Sequence, residues 1–303
     1  TPFVGKPLKK VIKTSKSALK GIIYHSTMFE DFGFAYLGPV DGHNIAEIEK
    51  TLKMAKRLKR PVFVHVNTVK GKGFAPAEKN PGAFHALSKF ELQTGNPEII
   101  TEDSYSAIFG KQLTKIAGYD NRICAVTAAM KYGTGLQYFY SDHKERFFDV
   151  GIAEQHAITF SAGLAKTGLI PVIAVYSTFL QRAYDQVLHD AAIDNTHIVL
   201  GIDRAGIVGE DGETHQGVFD VAFLTTIPNI TLFSPSCYEE VELCLNEAIF
   251  NIKGIVGIRY PRGNDTSSFD KSNLNAAFTL TGDNSKILLV TYGRIYDNSI
   301  KAR

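Results

Sequence analysis

The second half of the chain alternates between short apolar runs and longer runs in which apolar positions recur every three or four residues. The short runs are rich in Val, Ile and Phe, and several are apolar on both faces, which is typical of parallel strands covered by helices on both sides. They are RICAVTAA, RFFDVG, IPVIAVYS, HIVLGID, NITLFSP and IVGIRYP. This alternation predicts a doubly wound, mostly parallel α/β domain over about residues 98–267.

Two of the intervening segments carry signals for the start of a helix. In TFLQRAYDQVLHDAA, Phe179, Ala183 and Val187 lie at helical spacing, and we predict that Thr178 caps the helix. In SCYEEVELCLNEAIF, Ser236 is the predicted cap, and the glutamates that follow it are favoured by the helix dipole. Both segments therefore predict helices that connect strands of the sheet.

Residues 1–97 predict part of another α/β unit. In NIAEIEKTLKMAKRL, Asn44 and Glu47 stand at the spacing of a capping box, and this helix leads into the predicted strand PVFVHVNT. A polar stretch then links the two halves of the chain. The tail KILLVTYG, which begins at Lys286, is apolar enough to be one more buried strand. Residues 268–303 are therefore predicted to be a linker and the first strand of a third domain that is cut short.

Composition and charge exclude several classes of protein. Lys and Arg number 33 and Asp and Glu number 31 among the 303 residues, so nothing indicates nucleic acid or a membrane surface as a partner. No run of about 18 apolar residues predicts a transmembrane helix. The three cysteines, Cys124, Cys237 and Cys244, form no CxxC pair, which argues against a zinc site or a disulfide framework. A reducing cytoplasm suits such a chain best.

Candidate chemistry gathers where the predicted strands end. Ligands of open parallel sheets bind beyond the carboxyl ends of the strands. The loops after five strands bring to this edge a set of polar and aromatic residues, namely Glu154, His156, Tyr176, Phe179, Arg182, Arg204, Asp211, His215 and Arg262. Each has an ordinary structural explanation when taken alone, such as a solvated arginine or a core phenylalanine. It is their convergence on one edge that favours a binding site.

Three of the charged positions allow specific interpretations. Glu154 opens a helical run that has almost no other charge near it in sequence, although the first turn of any helix favours a carboxylate. Arg204 and Arg262 would suit a phosphate or a carboxylate, because a guanidinium group donates two parallel hydrogen bonds. The segment VKGKG offers Lys70 to another phosphate, but a hairpin-like turn explains this segment equally well.

The chain resembles the 1-deoxy-D-xylulose-5-phosphate synthase family of the transketolase superfamily. The resemblance rests on LGPVDGH, VKGKGFAPAE, FFDVGIAEQHAITFSAGLA, VYSTFLQRAYDQVLHD, IDRAGIVGEDGETHQG and IRYPRGN, and it covers about residues 20–295. It implies a transferase that uses thiamine diphosphate and Mg²⁺ to condense pyruvate with D-glyceraldehyde 3-phosphate. The products would be CO₂ and 1-deoxy-D-xylulose 5-phosphate, a precursor of isoprenoids, thiamine and pyridoxal. A cytoplasmic homodimer is also expected.

The resemblance implies roles for residues around the cofactor. Glu154 matches the glutamate that hydrogen-bonds N1′ of the aminopyrimidine and so promotes loss of the thiazolium C2 proton. Phe179 would stack on the aminopyrimidine ring. Ile152 and Met130 would shape the cofactor pocket, and Lys70 would reach the diphosphate.

The resemblance implies a second set of roles around the substrates. His85 and His215 would assist proton transfers. Arg204 and Arg262 would bind the phosphate of D-glyceraldehyde 3-phosphate. The remaining residues of the acceptor pocket would be Tyr176, Arg182 and Asp211.

One part of the family pattern is absent from the printed sequence. The family binds magnesium and diphosphate with a GDG motif and a later asparagine, and no such pair occurs here. We therefore expect residues 1–97 to be the C-terminal part of a diphosphate-binding domain plus a linker, and residues 98–267 to be a pyrimidine-binding domain. The metal ligands are expected upstream of Thr1. Two alternatives stay open, a transketolase-type enzyme and a catalytically inactive fragment that acts as a binding or assembly module.

Overall fold

The computed structural model describes residues 28–85, 89–96, 104–268, 274, 280, 282 and 286–302. The chain divides into two compact units, Thr1–Ile99 and Ile100–Arg303. Each unit is an α/β arrangement with parallel strands.

The first unit contains one β-α-β arrangement. Its elements are α1 (Met28–Asp31), β1 (Ala35–Asp41), α2 (Ile45–Arg57), β2 (Val62–Asn67) and α3 (Ala75–Lys79). β1 and β2 pair in parallel, and β2 is the strand predicted from PVFVHVNT. The side chain of Asn44 accepts a hydrogen bond of 3.2 Å from the backbone N–H of Glu47, so the predicted cap of α2 is confirmed.

The second unit is built on one six-stranded sheet. Its strands are β3 (Ile123–Thr127), β4 (Phe147–Asp149), β5 (Ile170–Tyr176), β6 (Ile198–Asp203), β7 (Ile230–Phe233) and β8 (Ile255–Arg259). They lie in the order β4-β3-β5-β6-β8-β7, and every neighbouring pair is parallel. All six predicted strands of this domain are formed, and the predicted fold class is confirmed.

Helices precede, connect and follow these strands. They are α4 (Tyr105–Ala117), α5 (Gln137–Asp142), α6 (Glu154–Lys166), α7 (Ser177–Leu180), α8 (Tyr184–Gln186), α9 (Asp220–Leu224), α10 (Tyr238–Asn246) and α11 (Tyr296–Ala302). A 3₁₀ turn, Gln181–Ala183, joins α7 to α8, and a π-helical segment, Val187–Ala192, continues α8. The segment TFLQRAYDQVLHDAA is thus helical, but it is not a uniform α-helix.

The core lies on both faces of this sheet, because alternate residues of each strand point to opposite sides. On one face, Val172 and Ala174 of β5 pack with Phe109 of α4 and with α10. On the other face, Ile173 and Val175 of β5 pack with α6 and with the helical segment after β5. Burial on both faces explains why these strands read as nearly continuous apolar runs.

The predicted caps of two helices are wrong. The helix after β5 begins at Ser177, one residue before Thr178, and no side chain caps its N-terminus. The N-terminal cap of α10 is Cys237, whereas the backbone N–H of Ser236 donates a hydrogen bond of 2.6 Å to Glu240. Glu240 therefore accepts from a backbone N–H that precedes α10, and no side-chain hydrogen bond caps the first N–H groups of the helix itself.

The strand predicted from KILLVTYG is not formed. Residues 287–292 have no regular secondary structure, and a 3₁₀ turn and α11 follow them. Ile287 and Leu288 are 82% and 73% exposed. A strand gains its ladder hydrogen bonds from a neighbouring strand, and no strand pairs with this segment in the part of the chain that the structure describes.

The cysteines are packed as small apolar groups. Cys124 and Cys237 are buried and Cys244 is partly buried. Burial raises the pKa of Cys124 and of Cys244 to about 12, so the thiolate form is disfavoured in both. Within the described ranges, none of the helices has the length and apolar character needed to cross a bilayer.

Candidate active site

The carboxyl edge of the six-stranded sheet positions the predicted residues. Because all strands are parallel, β5 ends at Tyr176, β6 ends at Asp203 and β8 ends at Arg259 on this same edge. Arg204 follows β6 directly, and α6 begins with Glu154 shortly after β4. The side chains on these elements form a chain of contacts that runs from Glu154 to Arg262.

Glu154 is a buried carboxylate at the start of α6. It is only 2% exposed, and no side chain caps the helix N-terminus in front of it. Its Oε1 atom accepts a hydrogen bond of 2.8 Å from Nη1 of Arg182. Glu154 has almost no charge near it in sequence, but the fold brings it a cationic partner from 28 residues further along the chain. α6 packs against the 3₁₀ turn Gln181–Ala183, which brings Arg182 to the helix start and places it on Glu154.

Aromatic rings continue the chain of contacts away from Glu154. The guanidinium group of Arg182 lies 4.9 Å from the ring centre of Phe179, and the Phe179 ring stacks on Tyr176 with centres 5.8 Å apart. The ring of His215 contacts both, at 5.2 Å from Phe179 and 6.0 Å from Tyr176. Burial raises the pKa of Tyr176 to about 12, so this side chain is a neutral phenol at physiological pH.

Arg204 is held from several sides. Its guanidinium group lies 3.9 Å from the ring centre of Tyr176. Nε donates to Asp211 at 3.0 Å, and Nη1 donates to Asp203 at 2.9 Å and to the carbonyl oxygen of Gly133 at 2.6 Å. The backbone of Arg204 has a φ of 58°, a left-handed conformation that is uncommon for a residue with a side chain. Such backbone strain is typical of functional positions that the surrounding structure fixes.

Arg262 shares a partner with Arg204. Its Nε lies 3.3 Å from one oxygen of Asp211, whose other oxygen accepts from Arg204. Its Nη1 donates to Glu210 at 2.5 Å. The structure thus brings together the two arginines that the sequence proposed for phosphate binding, and Asp211 bridges them.

Asp203 and Gly133 were not anticipated from the sequence. Asp203 is completely buried, and burial raises its pKa to about 6 against the opposing effect of the neighbouring Arg204. A Cβ atom added at Gly133 would lie 1.7 Å from the hydroxyl oxygen of Tyr176. Asp203 could have been found from its place at the end of the otherwise apolar run HIVLGID. Gly133 has no comparable signal, because its neighbours come from distant parts of the chain.

The remaining predicted residues differ in how they are placed. Met130 is 8% exposed, and its sulfur lies 3.4 Å from the backbone nitrogen of Tyr176, inside the group of contacts. Ile152 is 81% exposed in the loop before α6, and it lies outside the chain of contacts that runs from Glu154 to Arg262. Lys70 and His85 are exposed residues of the first unit. The cofactor or catalytic roles of these last three stay predictions.

The second unit suits the pyrimidine end of thiamine diphosphate. A buried carboxylate can share a hydrogen bond with a ring nitrogen, and the nearby aromatic ring of Phe179 is only partly buried. No cluster of three or more His, Cys, Asp or Glu side chains that could hold a metal occurs in the described ranges, so we assign no metal ligand here.

Comparison with known proteins agrees with this geometry. Residues 102–266 match the pyrimidine-binding domain of transketolase, and residues 1–68 match a family described as 1-deoxy-D-xylulose-5-phosphate synthase. A split-gene transketolase described as an inactive beta4 tetramer has a similar structure, with a TM-score of 0.50 and 25% sequence identity. That similarity covers 58% of this chain and 56% of the other chain.

Curated relatives confirm the resemblance seen in the motifs. The 1-deoxy-D-xylulose-5-phosphate synthase of Clostridium tetani is 46% identical over 304 residues, which is 100% of this chain and 49% of that protein. The synthase of Clostridium perfringens strain SM101 is 51% identical over 265 residues, or 88% of this chain and 43% of that protein. The chain thus spans about half the length of the curated relatives it matches. Since the pyrimidine-binding match alone covers more than half of its residues, the chain belongs to the transketolase pyrimidine-binding domain family.

Proposed function

We propose that the chain is the pyrimidine-binding part of a 1-deoxy-D-xylulose-5-phosphate synthase. The observation that carries the proposal is Glu154, a carboxylate that is 2% exposed at the start of α6 and is paired with Arg182, whose guanidinium group lies over the ring of Phe179. The reaction is the thiamine-diphosphate- and Mg²⁺-dependent condensation of pyruvate with D-glyceraldehyde 3-phosphate. Its product serves isoprenoid, thiamine and pyridoxal biosynthesis, and the enzyme is a cytoplasmic homodimer. The identity with named synthases supports this reaction.

Glu154 and its neighbours would hold the aminopyrimidine end of the cofactor. When bound, thiamine diphosphate supplies an acidic thiazolium carbon that becomes a nucleophile toward carbonyl groups. Glu154 would keep a proton shared with the ring nitrogen N1′, and Arg182 fixes the carboxylate through its hydrogen bond to Oε1. Phe179 would stack on the ring. Met130, Ile152 and Lys70 are the further cofactor contacts that the proposal includes.

The arginine side of the site would bind the substrates. Arg204 and Arg262 would bind the phosphate of D-glyceraldehyde 3-phosphate, because guanidinium groups recognise phosphate with paired hydrogen bonds. Tyr176 and Asp211 hold Arg204 in place. His215 lies against Phe179 and Tyr176, where it would move a proton to or from the substrate oxygen, and the proposal gives His85 a similar role.

The test is Glu154→Gln in the complete enzyme that carries this sequence. Glutamine retains the size of the side chain but cannot carry the negative charge that polarises N1′. Loss of a general acid–base role typically costs about 10²- to 10⁴-fold, so we expect kcat to fall by that amount while the cofactor still binds. Exchange of the C2 proton of bound cofactor, followed by NMR, reports the affected step directly.

Glu47→Gln is the matched control. Glu47 is also a glutamate in the first turn of a helix, α2, and it is not part of the site. If Glu154 interacted only with the helix dipole, Glu154→Gln and Glu47→Gln would both exchange the C2 proton at the wild-type rate. Exchange at the wild-type rate in Glu154→Gln would show that Glu154 is no more than a dipole partner, and would overturn the proposal.

A second candidate is a catalytically inactive module that binds or assembles with other chains. The observation in its favour is the structural neighbour, a split-gene transketolase whose tetramer is described as inactive. When the cofactor is bound, the two candidates differ in turnover. Tight binding of thiamine diphosphate without turnover in the complete protein would favour the inactive module.

A further inference from the structure

The phosphate side of the proposed site contains more negative than positive groups. Two guanidinium groups, those of Arg204 and Arg262, lie in hydrogen-bond or ion-pair contact with the carboxyl groups of Asp203, Asp211 and Glu210. An anionic substrate that approached this arrangement would meet a local excess of carboxylates. For a phosphate group to bind here, one of these carboxylates must therefore give up its contact with an arginine.

The three carboxylates differ in how easily they could leave. Asp203 is fully buried, and Asp211 has a side chain that is 19% exposed and bonded to both arginines. Glu210 has a side chain that is 83% exposed, and its ion-pair partner in the described part of the chain is Arg262. An exposed ion pair contributes little to stability, because water solvates both charges when they separate. Glu210 is thus the carboxylate that can be exchanged at the lowest cost.

Arg204 keeps its position whether or not Glu210 is in contact with Arg262. Three of its five N–H groups donate to Asp211, Asp203 and Gly133, and its plane lies against the ring of Tyr176. None of these partners is Glu210. Arg262 has a side chain that is 34% exposed, and among the described residues its side-chain contacts are Glu210 and Asp211. Arg204 is therefore a fixed contact, whereas the outer contact of Arg262 is exchangeable.

We propose that Glu210 is a specificity-determining residue that occupies Arg262 until the phosphate group of the substrate displaces it. The inference rests on the proposed function, since it concerns the same anion-binding arginines. The geometry of the pair supports it, because Nη1 of Arg262 donates to a carboxylate oxygen of Glu210 at 2.5 Å, as it would to a phosphate oxygen. Glu210 would favour phosphate dianions, which compete with the carboxylate best, over weaker anions.

The experiment is calorimetric titration of the complete enzyme with glycerol 3-phosphate, an unreactive phosphate ester. Glu210→Gln removes the competing charge and keeps the size of the side chain. We expect glycerol 3-phosphate to bind about threefold to tenfold more tightly to the variant, because a like charge beside the ligand is gone. The gain should shrink as ionic strength rises, since the Debye length is about 10 Å at 0.1 M salt.

Two further variants show whether the effect passes through Arg262. Glu213→Gln removes a carboxylate from the 3₁₀ turn in the same loop, and Glu213 forms no ion pair with an arginine in the described part of the chain. It should leave the affinity unchanged. In an Arg262→Ala background, Glu210→Gln should give no gain. An unchanged or weaker affinity of Glu210→Gln, an equal gain in Glu213→Gln, or a gain that persists without Arg262 would each overturn the inference.

Turnover of the wild-type enzyme separates this inference from the proposed function. If pyruvate and D-glyceraldehyde 3-phosphate give no product but Glu210→Gln still tightens glycerol 3-phosphate binding, the inference stands and the synthase function fails. If the wild-type enzyme turns over but the Glu210→Gln gain is absent, the function stands and the inference fails. A wild-type protein and a Glu210→Gln variant that both fail to bind glycerol 3-phosphate would overturn the inference.

Discussion

Replacement of Arg182 by Met removes the guanidinium group from Glu154 while keeping most of the apolar length of the side chain. The two partners differ in burial, since the side chain of Glu154 is 3% exposed and that of Arg182 is 49% exposed. Without Arg182, the carboxylate stays buried and unpaired, which is costly. Without the charge of Glu154, in Glu154→Gln, the guanidinium group can still be solvated. We therefore expect the two substitutions to have unequal costs.

The magnitudes follow from this difference in burial. Arg182→Met should lower the free energy of unfolding by about 2–3 kcal/mol, below the range for fully buried pairs because Arg182 is half exposed. Glu154→Gln should cost less than about 1 kcal/mol, since the amide oxygen can still accept the hydrogen bond. A double-mutant cycle should give a coupling energy of about 1–2 kcal/mol, between the values for exposed pairs and for charge-assisted buried bonds.

Urea unfolding of the four proteins at neutral pH measures these energies. Arg122→Met is the control, because Arg122 pairs with Asp120 at 2.6 Å but is itself 61% exposed and its partner is 16% exposed. Its loss should cost less than about 1 kcal/mol. A Glu154→Gln cost larger than that of Arg182→Met, or a coupling energy below about 0.5 kcal/mol, would refute the idea that Arg182 compensates the buried charge of Glu154.

Two other predictions concern the far side of the site. Burial raises the pKa of Asp203 from 3.8 to about 6, so between these pH values the native state keeps a proton that the unfolded state has released. The stability of the wild type relative to Asp203→Asn should then fall by about 2 kcal/mol as pH rises from 4 to 6. A difference in urea unfolding energy that is flat with pH would contradict this. In Gly133→Ala the new Cβ would lie 1.7 Å from the hydroxyl oxygen of Tyr176 and would displace the ring against which Arg204 lies. KM for D-glyceraldehyde 3-phosphate should rise about tenfold, which is about the cost of one lost charge-assisted contact, and KM for pyruvate should rise much less. Equal increases in the two KM values would instead indicate general distortion of the site.

The sheet could be predicted because its signal is local. Each strand of the second unit is an apolar run bounded by turns, and burial on both faces produces that pattern within a few residues of sequence. The caps predicted at Thr178 and Ser236 were wrong because both helices begin without a side-chain cap, so a residue type that suits capping does not by itself mark where a helix begins. The tail after Lys286 was misread for a different reason. Apolar content signals burial, whereas a strand also requires a neighbour with which to pair.

The meeting of Tyr176, Arg204 and Arg262 at one edge of the sheet could be predicted from the sequence, but the pairing of the charges there could not. Strand ends on one edge bring Tyr176, Arg204 and Arg262 together whatever their side chains do. Which carboxylate meets which guanidinium depends on how helices pack over the sheet, and that information is spread along the chain. Arg182 illustrates this, since it reaches Glu154 only because α6 packs on the turn after α7.

Asp203 shows how a rule based on desolvation could recover part of this missing information. A carboxylate at the end of a fully apolar strand must be desolvated when the sheet is covered, and such a charge is stable only beside a cation or in its protonated form. The next residue, Arg204, supplies the cation, since its Nη1 lies 2.9 Å from Oδ1 of Asp203. The backbone of Arg204 is left-handed at this position, directly after the end of β6. An aspartate–arginine pair at the end of a buried strand is therefore more informative than two charged residues in an exposed loop. It predicts a fixed guanidinium group at the edge of the sheet, which is the kind of group that can bind an anion without losing conformational entropy at that moment.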